Sequence, residues 1–170
     1  MSIFKEYFNK PLISITDGKK LGEVKDLYLD QDIHQVAAVF LGKEGIVNRK
    51  TYLIARSAIQ VFGMDAWLVS GSDKVVEQGD FPESAAYTLL GELRGREIQS
   101  EAGTKIGAVD DGIFDDQGNL LGFALSKIYM QGPLSDRKTI ARAAITNLGS
   151  KKKPMTAVLQ QAESLEVPSA

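Results

Sequence analysis

The sequence predicts an all-β fold built from two tandem copies of one small module. Two observations support this prediction. Short runs rich in Val, Ile, Leu and Tyr alternate with turn sequences such as Asp17-Gly18 and Asp30-Gln31-Asp32, which is the pattern of strands joined by tight turns. The chain also resembles itself at a nearly constant offset, and an internal repeat determines how the whole fold is organised.

The repeat extends over most of the chain. A shift of 85 residues aligns seven pairs of identical residues without a gap: Ile13 and Ile98, Gly18 and Gly103, Lys20 and Lys105, Gly22 and Gly107, Val24 and Val109, Asp26 and Asp111, and Asp30 and Asp115. A shift of 86 aligns residues 54–59 with 140–145, where five of six residues are identical. One insertion in the loop before Arg137 explains the change of offset, because loops tolerate insertions. The sequence therefore predicts a tandem duplication, with modules over residues 1–83 and 84–170.

Each module is expected to contain about six short strands, which suits a small closed barrel without exposed sheet edges. Strands are predicted at residues 11–16, 21–30, 33–42, 50–54, 59–62 and 66–69, and the last three recur at 138–140, 145–148 and 155–159. Val24 has the opposite parity to Leu27 and Leu29. This indicates either a bulge near Asp26 or a strand covered on both faces.

Two further segments have predicted roles. Residues 36–41 are apolar at every position, so one face is expected to fill the barrel and the other to pack on the neighbouring module. Residues 72–82 contain charged side chains together with Gly79 and Pro82, and we expect them to link the two modules.

Composition excludes several classes of protein. The chain is 44% hydrophobic and 25% charged, which is typical of a folded domain. Its formal net charge of −2 means that no overall positive charge attracts it to nucleic acid or anionic lipid. There is no cysteine and a single histidine, so neither a disulfide framework nor a thiolate metal site can form. The N-terminal residues lack the apolar region of a signal peptide. We expect a cytoplasmic protein.

The sequence contains no recognisable catalytic motif. His34 has no second histidine or cysteine to complete a site, and a surface role is favoured. Asp110, Asp111, Asp115 and Asp116 could hold a hard cation, but their spacing is not that of an EF-hand loop, and acidic residues are common in hairpin turns. Neither a phosphate-binding glycine pattern nor a nucleophile elbow occurs. The prediction is a non-enzymatic protein without metal or cofactor.

The candidate interaction residues are cationic. Arg56 and Arg142 occupy equivalent places in the two modules, and they are expected either to form structural salt bridges or to bind a carboxylate or other anion twice. Lys151, Lys152 and Lys153 form the one dense basic run. This run indicates either a solvated loop or a local basic patch that could contact RNA.

The stretch from Gly18 to Asp30, followed by Val36 to Phe40, resembles the PRC-barrel family, and so does the stretch from Gly103 to Asp111. The family is similar to the cytoplasmic domain of the photosynthetic reaction-centre H subunit and to the C-terminal domain of the ribosome-maturation factor RimM. The resemblance implies two tandem PRC-type barrels that act as an adaptor, with no catalytic residues to carry over. We therefore expect a non-catalytic scaffold that binds a protein partner or itself. The alternative is an RNA- or ribosome-associated factor that uses the lysine run.

Overall fold

The computed structural model describes residues 2–47 and 49–168. In chain order the strands are β1 (Ser2–Ile3), β2 (Pro11–Ser14), β3 (Lys20–Glu23), β4 (Asp26–Leu29), β5 (Val36–Glu44), β6 (Lys50–Ala55), β7 (Ile59–Phe62), β8 (Trp67–Val69), β9 (Val75–Glu77), β10 (Thr88–Leu89), β11 (Glu97–Ser100), β12 (Lys105–Phe114), β13 (Leu120–Ile128), β14 (Thr139–Ala141), β15 (Ile145–Asn147) and β16 (Met155–Ala157). The α-helices are α1 (Leu90–Leu93), α2 (Pro133–Arg137) and α3 (Leu159–Ser164). The predicted β fold is confirmed, since strands dominate and every helix is short.

The chain divides into two compact units. The N-terminal unit comprises Lys5–Gly91 and Asp116–Asn119, and the C-terminal unit comprises the described parts of Met1–Phe4, Glu92–Asp115 and Leu120–Ala170. Each unit thus includes a segment that is distant from it in sequence. The module boundary between Glu83 and Ser84 stays a prediction. Among the described residues, no helix has the length and apolar character needed to cross a membrane.

The N-terminal unit contains a four-stranded sheet in the order β3-β2-β8-β7, in which β2 and β8 run parallel and the other pairs antiparallel. One face of this sheet is buried, with Leu12, Trp67 and Val69 at most 1% exposed. The Trp67 ring meets the Tyr7 ring edge-on at 5.0 Å and the Phe62 ring at 4.7 Å. Buried apolar area of this kind is the main stabilising contribution in a small unit.

The same unit contains a five-stranded sheet in the order β10-β4-β5-β6-β9. Its second face carries an apolar cluster of Tyr28, Ala38 and Leu53, against which five partly buried side chains pack: Phe40, Val76, Phe81, Tyr87 and Leu89. Residues 78–89 therefore cover the face that the sequence suggested would pack on a neighbouring module. The expectation that residues 72–82 form a linker is wrong, because β9 pairs with β6 inside this sheet.

The predicted strand over residues 21–30 is interrupted at Val24 and Lys25. The Val24 N–H donates to the carbonyl oxygen of Lys10, and the Lys25 N–H donates to that of Phe40. The chain thus leaves the four-stranded sheet after β3 and enters the five-stranded sheet as β4. Gly22 precedes this change at φ +153°, a conformation that L side chains rarely adopt. The N-terminal unit consequently has two sheets instead of the predicted closed barrel.

The C-terminal unit contains one sheet in the order β14-β13-β12-β11-β16-β15, with β1 paired to β12. Here β12 continues without interruption over ten residues, so one sheet holds the strands that form two sheets in the other unit. Within the described residues the end strands β14 and β15 are not paired with each other, and a closed barrel is not found here either. Arg137 at the end of α2 donates to the carbonyl oxygens of Ala162, Glu163 and Leu165, which fixes the segment that follows β16.

Both units use the same pairing order, β3-β2-β8-β7 in one and β12-β11-β16-β15 in the other. Leu12 lies opposite Gly22, and Ile98 lies opposite Gly107. Leu12 is therefore the structural counterpart of Ile98, whereas the gapless alignment assigned this place to Ile13. The difference arises in the turn after β2, which has one residue more than the turn after β11. The duplication itself stays a prediction.

Candidate interaction surface

The outer surface of the four-stranded sheet carries a row of aliphatic side chains. Ile13 lies directly opposite Leu68, and Leu68 lies opposite Val61. Successive strand residues point to opposite faces, so these three side chains face away from the buried Leu12 and Trp67. Val61 is 47% exposed, and Ile15, which continues the row along the chain, is 54% exposed. We call Ile13, Ile15, Val61 and Leu68 the outer face.

Charged side chains border the outer face. Lys20 lies opposite Ile13, and its Nζ is 2.8 Å from a carboxylate oxygen of Glu23, whose other oxygen is 2.9 Å from Lys25 Nζ. The hydrogen bond from Lys20, and to a smaller extent the one from Lys25, lowers the pKa of Glu23 to about 2. An apolar centre with a polar rim is the usual composition of a protein–protein interface.

The strand β7 leaves one sheet edge open. It is the last strand of its sheet, and within the described residues its second edge pairs with no strand. A groove of about 470 Å³ lies beside it. The groove is lined by Arg56, Ser57, Ile59, Gln60, Val61, Phe62, Asp116 and Gln117, and we call it the edge groove. Open edges can accept a strand from another chain.

Arg56 holds one wall of the edge groove in place. It begins the 3₁₀ turn Arg56–Ala58 after β6, and its guanidinium donates to the carbonyl oxygen of Gln117. Gly118, at φ +78°, packs so closely on Phe62 that an added Cβ would lie 3.0 Å from the ring. The Val36 N–H also donates to the carbonyl oxygen of Gly118 over 2.9 Å. Residues 116–119 are therefore fixed as part of the N-terminal unit.

The other predicted site residues lie in the C-terminal unit. Arg142 begins the 3₁₀ turn Arg142–Ala144 and is partly buried. Lys151, Lys152 and Lys153 are exposed in a tight turn between β15 and β16, where the N–H groups of Lys152 and Lys153 donate to Ser150 Oγ. The structure thus brings Arg56 beside the outer face and leaves the lysine run in the other unit. Whether these cations bind a partner stays a prediction.

The acidic residues and the histidine do not converge. His34 is exposed, and its backbone N–H donates to Asp30 over 2.7 Å. Asp111 is fully buried, 3.2 Å from Arg94 Nη2. In the described ranges, no three Asp, Glu, His or Cys side chains are grouped so that they could hold a metal ion.

The outer face was missed by sequence reasoning, although a signal was present. Ile13 and Ile15 alternate with Leu12 and Ser14 along β2 and the first residue after it, so apolar residues occur on both faces of the strand. The strand predicted at residues 11–16 left its two faces unassigned, because the register between β2 and β8 depends on long-range pairing.

Residues 3–75 match the family model of the PRC-barrel domain. The match begins in β1 and ends at the first residue of β9, so it spans the four-stranded sheet and most of the five-stranded sheet. No curated protein matches the chain.

Proposed function

Because this chain carries a PRC-barrel domain over residues 3–75, we propose that it is a non-catalytic adaptor that binds a protein partner through its N-terminal unit. The outer face and the edge groove form the contact surface. The observation that supports the proposal is the row of Ile13, Leu68 and Val61, which ends at the open edge of β7.

The chemistry of this surface fits a protein partner. Contiguous exposed apolar patches are uncommon on monomeric proteins and commonly mark interaction sites. An extended segment of a partner could add to the edge of β7, while its side chains cover Val61 and enter the edge groove. Arg56 lines that groove and could contact a carboxylate of the partner. The absence of cysteine is consistent with a cytoplasmic location.

The second candidate is an RNA- or ribosome-associated factor that binds through Lys151, Lys152 and Lys153. Their exposure in one turn favours it. The two candidates differ in salt dependence, because contacts to phosphate weaken steeply as salt is raised whereas an apolar protein interface does not.

The experiment places a photo-cross-linking residue at Val61 in one full-length variant and at Asn147 in another. These positions are equivalent, since Val61 lies opposite Leu68 and Asn147 lies opposite Thr156. If the protein is an adaptor, position 61 should cross-link to a protein. The additional substitution Ile15→Asp should lower the yield of this product at least tenfold, roughly the effect of losing one buried apolar anchor. Asn147 should give no such product.

Two results would contradict the proposal. Equal cross-linking from both positions would show that the outer face has no special role. Loss of the partner on replacing the three lysines by glutamine, together with release by moderate salt, would favour RNA. A cross-link between two copies of the chain would support self-association as the form that the adaptor takes.

A further inference from the structure

The connection between β5 and β6 presents two aliphatic side chains to solvent. Ile46 is 99% exposed and Val47 is 90% exposed. Among the described residues, Met64 is the one other large apolar residue exposed to this extent. Contact with a partner that removed these two adjacent aliphatic side chains from water would be favourable.

Cationic side chains lie directly behind this apolar end. Lys43, Arg49 and Lys50 flank it, with Glu44 as the one acid on the same hairpin end. Glu44 lies opposite Lys50, and Lys43 lies opposite Thr51, so these charges occupy the outermost strand positions.

The nearest acid on a neighbouring strand lies further back. Glu77 is opposite Tyr52, two residues inward from Lys50, or about 7 Å along the strand. Lys50 Nζ lies 3.6 Å from a carboxylate oxygen of Glu77, and Lys43 and Arg49 are the other two cations of this hairpin end. The hairpin end therefore carries three cations against one acid of its own, Glu44, and Glu77 lies further inward.

A groove of about 510 Å³ lies at the base of the same hairpin end. It is lined by Arg49, Lys50, Thr51, Glu77, Gln78, Gly79, Phe81, Pro82, Ser84 and Ala85. The groove is wide open to solvent, and Arg49 and Lys50 are among the residues that line it.

We propose that this end of the N-terminal unit docks on an anionic phospholipid surface. Ile46 and Val47 enter the boundary between headgroups and acyl chains, which removes their apolar surface from water. Lys43 and Arg49 meet the lipid phosphates, since basic residues near an anionic leaflet each add to binding. The groove accepts a headgroup beside them. This surface belongs to the five-stranded sheet and is independent of the outer face.

Vesicle flotation of the full-length protein tests the proposal. Binding is expected to vesicles of phosphatidylcholine mixed with phosphatidylglycerol, and at least about fivefold more weakly to phosphatidylcholine alone. The double variant Ile46→Ser, Val47→Ser should lose about tenfold or more in affinity. Met64→Ser is the matched control, an equally exposed apolar residue beside Asp65, and it should bind normally.

Charge reversal is tested with a pair of variants that change the net charge equally. Lys43→Glu with Arg49→Glu should weaken binding at least about tenfold, whereas Lys151→Glu with Lys152→Glu should leave it within about twofold. A tryptophan in place of Val47 should be quenched by brominated acyl chains, and one in place of Met64 should not. The buried Trp67 is common to both variants.

Four outcomes would overturn the proposal. The first is that the protein does not float with anionic vesicles, and the second is that changing Lys151 and Lys152 weakens vesicle binding as much as changing Lys43 and Arg49. The third is that soluble glycerol phosphate abolishes vesicle binding while a tryptophan at position 47 is not quenched, and the fourth is that the protein self-associates without lipid and Ile46→Ser prevents this. The third outcome would indicate a soluble anion as ligand. The fourth would indicate a second copy of the chain.

Discussion

The outer faces of the two units differ although their strands pair in the same order. Ile13, Leu68 and Val61 form the row in the N-terminal unit, and the paired positions in the C-terminal unit are Gln99, Thr156 and Asn147. The hydroxyl group of Thr156 also forms a hydrogen bond with that of Thr146, with the two oxygens 2.8 Å apart.

The buried faces of the same sheets do not differ in this way. Leu12 and Trp67 have Ile98 and Met155 as their counterparts, and all four side chains are at most 1% exposed. Both units thus keep the inner face of this sheet apolar, which favours one register over a slipped one. The outer face is apolar in the N-terminal unit and polar at the paired positions of the C-terminal unit, and this difference is the reason for proposing the interaction on the N-terminal unit.

The buried acid of the C-terminal unit gives the largest expected difference between the units. Asp111 is fully buried and accepts from Gly112 N–H and Arg94, whereas its counterpart Asp26 is partly exposed and accepts from Leu27 N–H and Gly91 N–H. Asp111→Asn should lower the free energy of unfolding by about 2–3 kcal/mol, because the buried side chain loses the charge-assisted hydrogen bond from Arg94. Asp26→Asn should cost about 1 kcal/mol. Urea denaturation measures both, and equal losses would contradict the contrast.

A glycine and an alanine at equivalent positions give the next prediction. Gly122 lies opposite Ala141, and Ala38 lies opposite Ala55. A Cβ added at Gly122 would lie 2.3 Å from the carbonyl oxygen of Ile140 and 2.9 Å from Val167 Cγ2.

Gly122→Ala should therefore destabilise by about 2 kcal/mol, as overpacking does. The reverse change, Ala38→Gly, should cost about 1 kcal/mol through backbone entropy. Thermal melts of both variants are the measurement. If Gly122→Ala melts like the unmodified protein, the segment around Val167 is not packed on β13.

The smallest effect concerns the rim of the outer face. The folded pKa of Glu23 is about 2, below its ordinary value of 4.5. Its contribution to stability is therefore present above pH 4.5 and is lost as pH falls from about 4.5 through about 2.

The C-terminal unit has Ala108 in this position, so it lacks the effect. Carboxyl NMR titration should show the pKa of Glu23 rising toward its ordinary value in Lys20→Gln, and rising less in Lys25→Gln, because Lys20 is the larger cause. An unchanged pKa in Lys20→Gln would show that this ion pair is not formed in solution.

Local sequence signals predicted the strands well. Residues 59–62 coincide with β7, and residues 50–54 fall one residue short of β6. The PRC-barrel resemblance is also confirmed over residues 3–75. Branched residues bounded by turn sequences identify such strands without knowledge of their partners.

The parts that failed depend on long-range register. β9 has three residues and borders charged ones, so only its pairing with β6 distinguishes it from a linker. The division of residues 21–30 between two sheets depends on hydrogen bonds to Lys10 and Phe40. Arg56 could be chosen from the repeat, but the outer face beside it requires the parallel register of β2 and β8. That register joins residues 55 positions apart, such as Ile13 and Leu68.

The inclusion of residues 116–119 in the N-terminal unit has a consequence for synthesis on the ribosome. Arg56 and Val36 meet carbonyl groups of Gln117 and Gly118, and these are translated long after the strands that they contact. Domains generally fold in the order in which they emerge. Here the earlier unit reaches its final form only after all of β12 and residues 116–119 have left the exit tunnel, so the nascent chain exposes an incomplete edge while it elongates.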